Sequence, residues 1–294
     1  MWGQVAKDNV KACVPFKATL RRWLRKVRPY QSLPDNDAYA VEQGLQLIGF
    51  LREHELAARD VLEVGTGWIP TIPHLLKAWG AERLVLTDIE RLCDAQTMAL
   101  ADGLARRTLP RISEISGIDE ATLEANLARD GIEDYRCPPA LDELPDRSLD
   151  LVYSRTVLEH IPKPVLTQLL QEWKRLLRPG GCCIHFIDNS DHFEHRDDRL
   201  SRLNFLTLSS FAWRVASFNG QNYQNRLRHS DYVTLFDDAG FELLHIEGVP
   251  DPKALEDLRT LPIDAAFRHY EPGDLATLTS IIIARNADAP ANQR

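Results

Sequence analysis

The sequence predicts an α/β protein: a largely parallel sheet with helices packed on both faces. Three observations carry this expectation. Short apolar runs of strand length recur along the chain, stretches of helical period separate most of them, and Gly, Pro or acidic residues mark the junctions.

In chain order, Phe16, Leu20, Trp23, Leu24 and Val27 fall on one face of a helical period, with Lys17, Arg21, Arg22, Arg25, Lys26 and Arg28 around them. Pro29 and Pro34 are read as ending this helix, which makes residues 1–40 a basic amphipathic arm or lid. Residues 41–294 then form the main domain. A helix over 41–57 leads into strand 60–64, a helix from Pro70 to about Trp79 into strand 83–87. Residues 89–130 read as helical, with Ser113/Glu114 and Asp119 as start signals. Strands follow at 132–137, 149–154 and 182–188, the last two separated by helix 165–177, which Arg178-Pro179-Gly180-Gly181 stops. Helix 231–239, strand 241–249 and a final strand near 277–284 complete the pattern. The segments 89–130 and 189–230 are expected as cap insertions, with Phe205, Phe211, Trp213 and Phe218 mostly forming the cap's own core.

The 294 residues suffice for one large domain, or one domain with a cap, and 44% hydrophobic with 27% charged residues excludes a mostly disordered chain. No apolar run approaches the roughly 20 residues needed to span a bilayer. Five scattered cysteines without a CxxC, and no signal-like apolar stretch, make a reducing cytoplasm the expected compartment. Residues 1–30 hold eight Lys/Arg against one Asp, a local charge of +7, while 27 Lys/Arg against 42 Asp/Glu leave −15 on the rest. An acidic body argues against nucleic acid as a partner. For the arm, a helix folded on the body and an interfacial helix touching anionic lipid peripherally both remain open, as does homodimerisation.

The chemistry concentrates at Val61-Leu62-Glu63-Val64-Gly65-Thr66-Gly67-Trp68-Ile69-Pro70, a buried strand, a glycine turn and a helix start. Asp88 ends the next strand, 23 residues past Gly65, where a carboxylate accepts hydrogen bonds from both hydroxyls of a ribose. This pair alone suits NAD as well as other adenosyl cofactors. The motifs downstream separate them: Leu144-Pro145-Asp146-Arg147-Ser148-Leu149-Asp150-Leu151-Val152-Tyr153-Ser154, then Thr156-Val157-Leu158-Glu159-His160-Ile161, then Leu176-Leu177-Arg178-Pro179-Gly180-Gly181. The series resembles class I S-adenosylmethionine-dependent methyltransferases, of the small-molecule kind found in ubiquinone and natural-product biosynthesis.

The resemblance implies a Rossmann-like seven-stranded sheet of order 3-2-1-4-5-7-6 with the last strand antiparallel. It implies S-adenosylmethionine as cofactor, with Glu63 near the methionine amino group and Gly65, Thr66 and Gly67 along the methionine and ribose. Asp88 would take the ribose hydroxyls, Ile89 would lie against the adenine, and Ser154 with the turn that follows it would form the floor beneath the sulfonium. Ile69 stands where the family often carries a third glycine. Pro139-Ala140 stands where it often carries an Asp for the adenine amino group, which leaves apolar contacts and backbone groups of Ala140 or Leu141 to hold the ring.

Methyl transfer to a small-molecule acceptor, at a hydroxyl oxygen, is the expected activity. N- or C-methylation and a non-catalytic cofactor-binding protein docking through its arm are the alternatives. A hydroxyl acceptor calls for a proton acceptor, and imidazole suits that near neutrality. His192 is the first candidate, with His195, His160 and, more weakly, His185 behind it. The loop from Asp188 to His195 also reads as a divalent-metal cluster or a solvated charged loop, and no metal ligands are assigned. Arg155, Asp188 and Tyr223 are expected at the acceptor. Arg226 and Arg228 suit an acceptor carboxylate or phosphate, with anchoring of a long loop as the equal alternative.

Overall fold

The computed structural model describes residues 34–287 apart from 132, 195–196, 198 and 219–222. The basic helix expected before Pro29 and the candidate base His195 lie outside the described residues.

Seven strands, β1 (Asp60–Val64), β2 (Arg83–Thr87), β3 (Glu133–Arg136), β4 (Leu149–Arg155), β5 (Leu177–Asp188), β6 (Glu242–Glu247) and β7 (Thr279–Arg285), form one sheet. Its order is β3-β2-β1-β4-β5-β7-β6, as expected. The β3-β2-β1-β4-β5 pairs are parallel, and β7 runs antiparallel to both β5 and β6. Strand alternation sends Val61 and Leu62 to opposite faces, so the central strands are apolar at almost every position.

On one face lie α1 (Pro34–Glu53), α2 (Thr71–Trp79), α3 (Ala95–Ser116) and α4 (Glu120–Leu127), whose Leu47, Leu75, Leu109 and Leu123 pack with Val61, Leu86 and Leu151. On the other, α5 (Lys163–Leu176) and α7 (His229–Asp238) bring Leu166, Trp173 and Phe236 against Leu62, Val152 and Cys183. Trp173 is fully buried, and its truncation to Ala would cost about 3–5 kcal/mol.

A third cluster is separate. Phe193, Phe205 and Trp213, the last on α6 (Ser210–Ala216), pack with Ala254 of α8 (Pro252–Asp257), Phe267 and Leu275 of α9 (Pro272–Ala276). The cap therefore draws its core from two stretches of chain, on either side of β6.

Four expectations need correction. Pro34 opens α1, where a missing N–H costs nothing, so residues 34–40 belong to the domain and not to an arm. Ser113 lies inside α3; the helix starts instead at Asp94, whose side chain accepts from the Gln96 and Thr97 amides. Asp119 does cap α4. The 89–130 segment is no cap: α3 and α4 are crossover helices whose apolar residues enter the core of one sheet face. Finally, Phe211 and Phe218 are 71% and 72% exposed, and only Phe205 and Trp213 of the four aromatics enter the cap core.

The Arg178-Pro179-Gly180-Gly181 segment is already part of β5. Arg178 donates to Asp150 on β4 (2.5 Å) and Asp60 on β1 (2.9 Å), tying together the starts of three central strands.

Candidate active site

The carboxyl ends of β1 and β2 are stitched together by backbone bonds. The amides of Gly65 and Thr66 donate to the Thr87 carbonyl at 2.9 and 3.0 Å, and the Thr87 hydroxyl donates back to the Glu63 carbonyl at 2.7 Å. Gly65 and Gly67 both sit at positive φ, +77° and +67°. A Cβ on Gly65 would lie 2.5 Å from Val157 Cγ2, so glycine is what lets the exit of β4 close against the turn. Asp88 completes the stitch: Oδ2 accepts from the Gly67 amide (2.8 Å) and Oδ1 from the Glu90 amide (3.2 Å).

Two cavities share this floor. One, of about 520 Å³, is mainly apolar and runs from Asp88 and Ile89 past Pro139 and Leu141 to Val165. The other, of about 470 Å³, is bounded by the glycine turn, Asp37 and Tyr39 of α1, Arg155, Asp188 and His192. Gly65, Thr156, Val157 and His160 line both. Thr156 holds a φ of +51°, a costly conformation for a β-branched residue, at the junction of the two.

These residues fit the adenosyl cofactor that the resemblance implies. Ile89 is 87% exposed over the apolar hollow, where a flat ring would cover it together with Leu141. Asp88 lines the same hollow beside it. Glu63 is buried, its Oε1 accepting from the Tyr153 hydroxyl at 2.8 Å, while Oε2 has no hydrogen-bond partner among the described residues. Burial pushes its carboxyl up to about 7, against the pull of the Tyr153 hydrogen bond. Ala140 lies beside this hollow, its carbonyl accepting from Arg136 at 3.3 Å.

The acceptor side gathers around His192. Its Nε2 lies 3.3 Å from Asp188 Oδ2, and its backbone amide donates to Gln224 Oε1 at 3.1 Å. Burial raises the Asp188 carboxyl, but hydrogen bonds from His192 and Ser190 outweigh it and hold the group below the usual range. His160 packs edge-on to His192 with ring centroids 5.0 Å apart, and its Nδ1 donates to the Tyr223 carbonyl at 2.8 Å. Burial lowers the His160 pKa, which keeps the ring neutral. Arg155 donates to Gln43 and lies over the Tyr39 ring.

Several expected site residues lie elsewhere. Ser154 is fully buried, its hydroxyl 2.7 Å from His185 Nδ1, because strand alternation turns it away from the cavity; Arg155 and Thr156 line the floor in its place. His185 is buried beneath Trp173 and pushed down to about 3 by that burial, so it is no base. Arg226 donates to the carbonyls of Phe205 and Leu208 and lies over Trp213 and Phe267. Arg228 is fully buried and donates to the Asn189 carbonyl at 2.7 Å. Both arginines anchor the cap, and neither lines the cavities. Tyr223 contributes its carbonyl to His160.

Sequence reasoning missed Asp37 and Tyr39, and it did not single out the amides Gln224 and Asn225 from the run that holds them. Asn225 Nδ2 donates to the carbonyls of Leu158 and Ile161 (2.8 and 2.9 Å), and so fixes the turn that carries Glu159 and His160. The density of amides between 219 and 229 was the available signal.

No helix among the described residues is long and apolar enough to cross a membrane. The profile of the methyltransferase domain family matches residues 20–246. Erg6 of Aspergillus fumigatus, a sterol 24-C-methyltransferase, is 32% identical over 145 residues, 46% of this chain and 33% of that enzyme. The chain thus spans about a third of that relative's length. Solved S-adenosylmethionine-dependent methyltransferases from Mesorhizobium loti and Methanosarcina mazei are similar with TM-scores of 0.45 and 0.44, at 15% and 16% identity. They cover 80% and 79% of this chain and 95% of each of those chains. A match that runs over more than half of the residues shows the family: the chain belongs to the methyltransferase domain family, and its sheet has the order that the resemblance implies.

Proposed function

We propose that the chain methylates a hydroxyl oxygen of a small-molecule acceptor. The observation that carries this reading is the Asp188–His192 pair, 3.3 Å apart on the wall of the cavity that adjoins the glycine turn. The bound cofactor supplies an electrophilic methyl carbon on a positively charged sulfur. His192, held by Gln224 through its backbone, takes the proton of the acceptor hydroxyl, and the Asp188 carboxylate stabilises the imidazolium that forms. Tyr39, Arg155 and the neutral His160 border the acceptor, and alignment in a partly dry cavity supplies the largest share of the rate.

His192→Ala should lower kcat by about 10²–10⁴-fold and leave S-adenosylhomocysteine affinity unchanged. Full turnover by this variant across pH would remove His192 from the mechanism. The free cysteines Cys93, Cys137, Cys182 and Cys183 support a reducing, cytoplasmic setting.

Methylation at carbon is the second reading, favoured by the similarity to a sterol 24-C-methyltransferase. The same pair would then take a proton from carbon after transfer. Incubation with methyl-labelled cofactor and a panel of phenols, alcohols and isoprenoid alkenes separates the two, since the label ends on oxygen or on carbon.

A further inference from the structure

We propose that Glu159, His160 and His192 bind one divalent first-row transition-metal ion on the wall of the acceptor cavity. One ligand atom from each residue lies within 4.8 Å of the other two. An ion bonded at about 2.0–2.2 Å to each closes that span with small side-chain movements.

Glu159 is the observation that points to a cation. It is 2% exposed, and neither carboxylate oxygen has a hydrogen-bond partner among the described residues. A buried carboxyl without a donor stays protonated, and it ionises where a cation meets it. Its neighbours in the cluster are two imidazoles, each with a ring nitrogen within 4.8 Å of a Glu159 carboxylate oxygen.

The surroundings are those of a prepared ligand set. His160 gives its Nδ1 proton to the Tyr223 carbonyl at 2.8 Å, which fixes the tautomer and leaves Nε2 as an electron-pair donor. Asn225 holds the turn that carries Glu159 and His160, its own amide donating to the Glu159 carbonyl at 2.7 Å. The neighbouring Gln224 holds the backbone of His192. Asp188 places a second carboxylate at the edge of the cluster, beside His192.

Two imidazoles and one carboxylate favour Zn²⁺, Mn²⁺, Fe²⁺ or Co²⁺ over Mg²⁺ and Ca²⁺, which prefer oxygen donors throughout. Because His160 and His192 line the cavity, the open coordination positions face the acceptor. The use of the ion rests on the hydroxyl-acceptor reading. An acceptor oxygen bound there ionises more readily, keeping its O–H electron pair while the proton passes to solvent. In that state His192 serves as a ligand and no longer as the base.

The test needs no turnover. The full chain, stripped with chelator and desalted, is titrated with Zn²⁺ alone by calorimetry and with Co²⁺ alone by visible absorption. We expect one ion per chain, Co²⁺ bands of nitrogen ligation, and a higher Tm with Zn²⁺. Glu159→Gln and His160→Ala should each weaken binding at least about tenfold. In chelator, Glu159→Gln should melt no lower than the parent chain, which shows that it folds. The absence of stoichiometric binding to the parent chain, or affinity unchanged in both variants, overturns the site. S-adenosylhomocysteine calorimetry on the same samples reports the cofactor site separately, so either reading can fail alone.

Discussion

Glu63 on β1 and Tyr153 on β4 are register partners on adjacent strands, and the phenol donates to the carboxylate at 2.8 Å. A buried carboxyl that titrates near 7 is thereby set at the carboxyl end of β1, just before the glycine turn. Its charge is decided by what binds beside it.

Cofactor binding should depend on pH through this group. The Glu63 carboxyl is raised from its ordinary 4.5 to about 7, so it is mainly neutral at about pH 6 and mainly ionised at about pH 8. S-adenosylhomocysteine carries an ammonium group, which favours the ionised form. Its affinity should rise with pH and level off above about pH 7. Glu63→Gln should flatten the profile, and Tyr153→Phe should shift it upward, both read by calorimetry.

The unliganded protein should lose stability in acid through His185. Burial depresses this imidazole from its ordinary 6.5 to about 3. The unfolded chain therefore takes up the proton first, and the stability present above about pH 6.5 drains as pH falls toward 3. The full loss approaches roughly 4–5 kcal/mol at 1.36 kcal/mol per unit. Glu63 works in the opposite sense: its contribution is complete below 4.5 and is lost as pH rises through about 7. Urea unfolding between pH 4 and 8 should show both slopes, with His185→Leu reducing the acid one, to which His74, His160 and His229, lowered by burial too, also contribute.

Asp88→Ala should weaken S-adenosylhomocysteine by about 10–100-fold, the loss of charge-assisted hydrogen bonds to a ribose. The same change frees the Gly67 and Glu90 amides, so the glycine turn should also show faster hydrogen exchange.

Arg226→Ala should destabilise the protein by about 2–3 kcal/mol in urea, since it removes bonds to the Phe205 and Leu208 carbonyls. Cofactor affinity should not change. Had Arg226 bound an acceptor anion, the effect would fall on KM instead.

The strands and the glycine turn are readable in the sequence because local pattern carries them, and the sheet order follows from the family resemblance. An apolar strand followed by Gly65-Thr66-Gly67, and a strand ending in Asp88, need no distant partner to be recognised. What the sequence leaves open or misplaces depends on partners far along the chain. For Arg226 and Arg228 an anion and the loop's own backbone are equal readings, and the carbonyls of Phe205, Leu208 and Asn189 favour the second. Ser154 looked like part of the cavity floor, yet the register that sets it opposite His185 belongs to β5. Pro34 reads as a stop in the sequence, although a proline suits the start of a helix equally well, and that reading leaves Asp37 and Tyr39 out of the site. Glu159 carried a legible signal, a carboxylate amid Leu158 and Ile161, but its burial without partners shows only in three dimensions.

The antiparallel β7 has a consequence for how the chain is made. β6 leaves the ribosome before β7, yet its neighbour in the sheet is β7 and not β5. Until Thr279–Arg285 is synthesised, β5 presents an unpaired outer edge and β6 has no strand to join. Those open edges invite pairing with other nascent chains. The sheet closes only when its penultimate position is filled by the last strand to emerge, so a chain stalled before Thr279 is a substrate for chaperones and proteases, while the cofactor floor made by β1, β2 and β4 has long been synthesised.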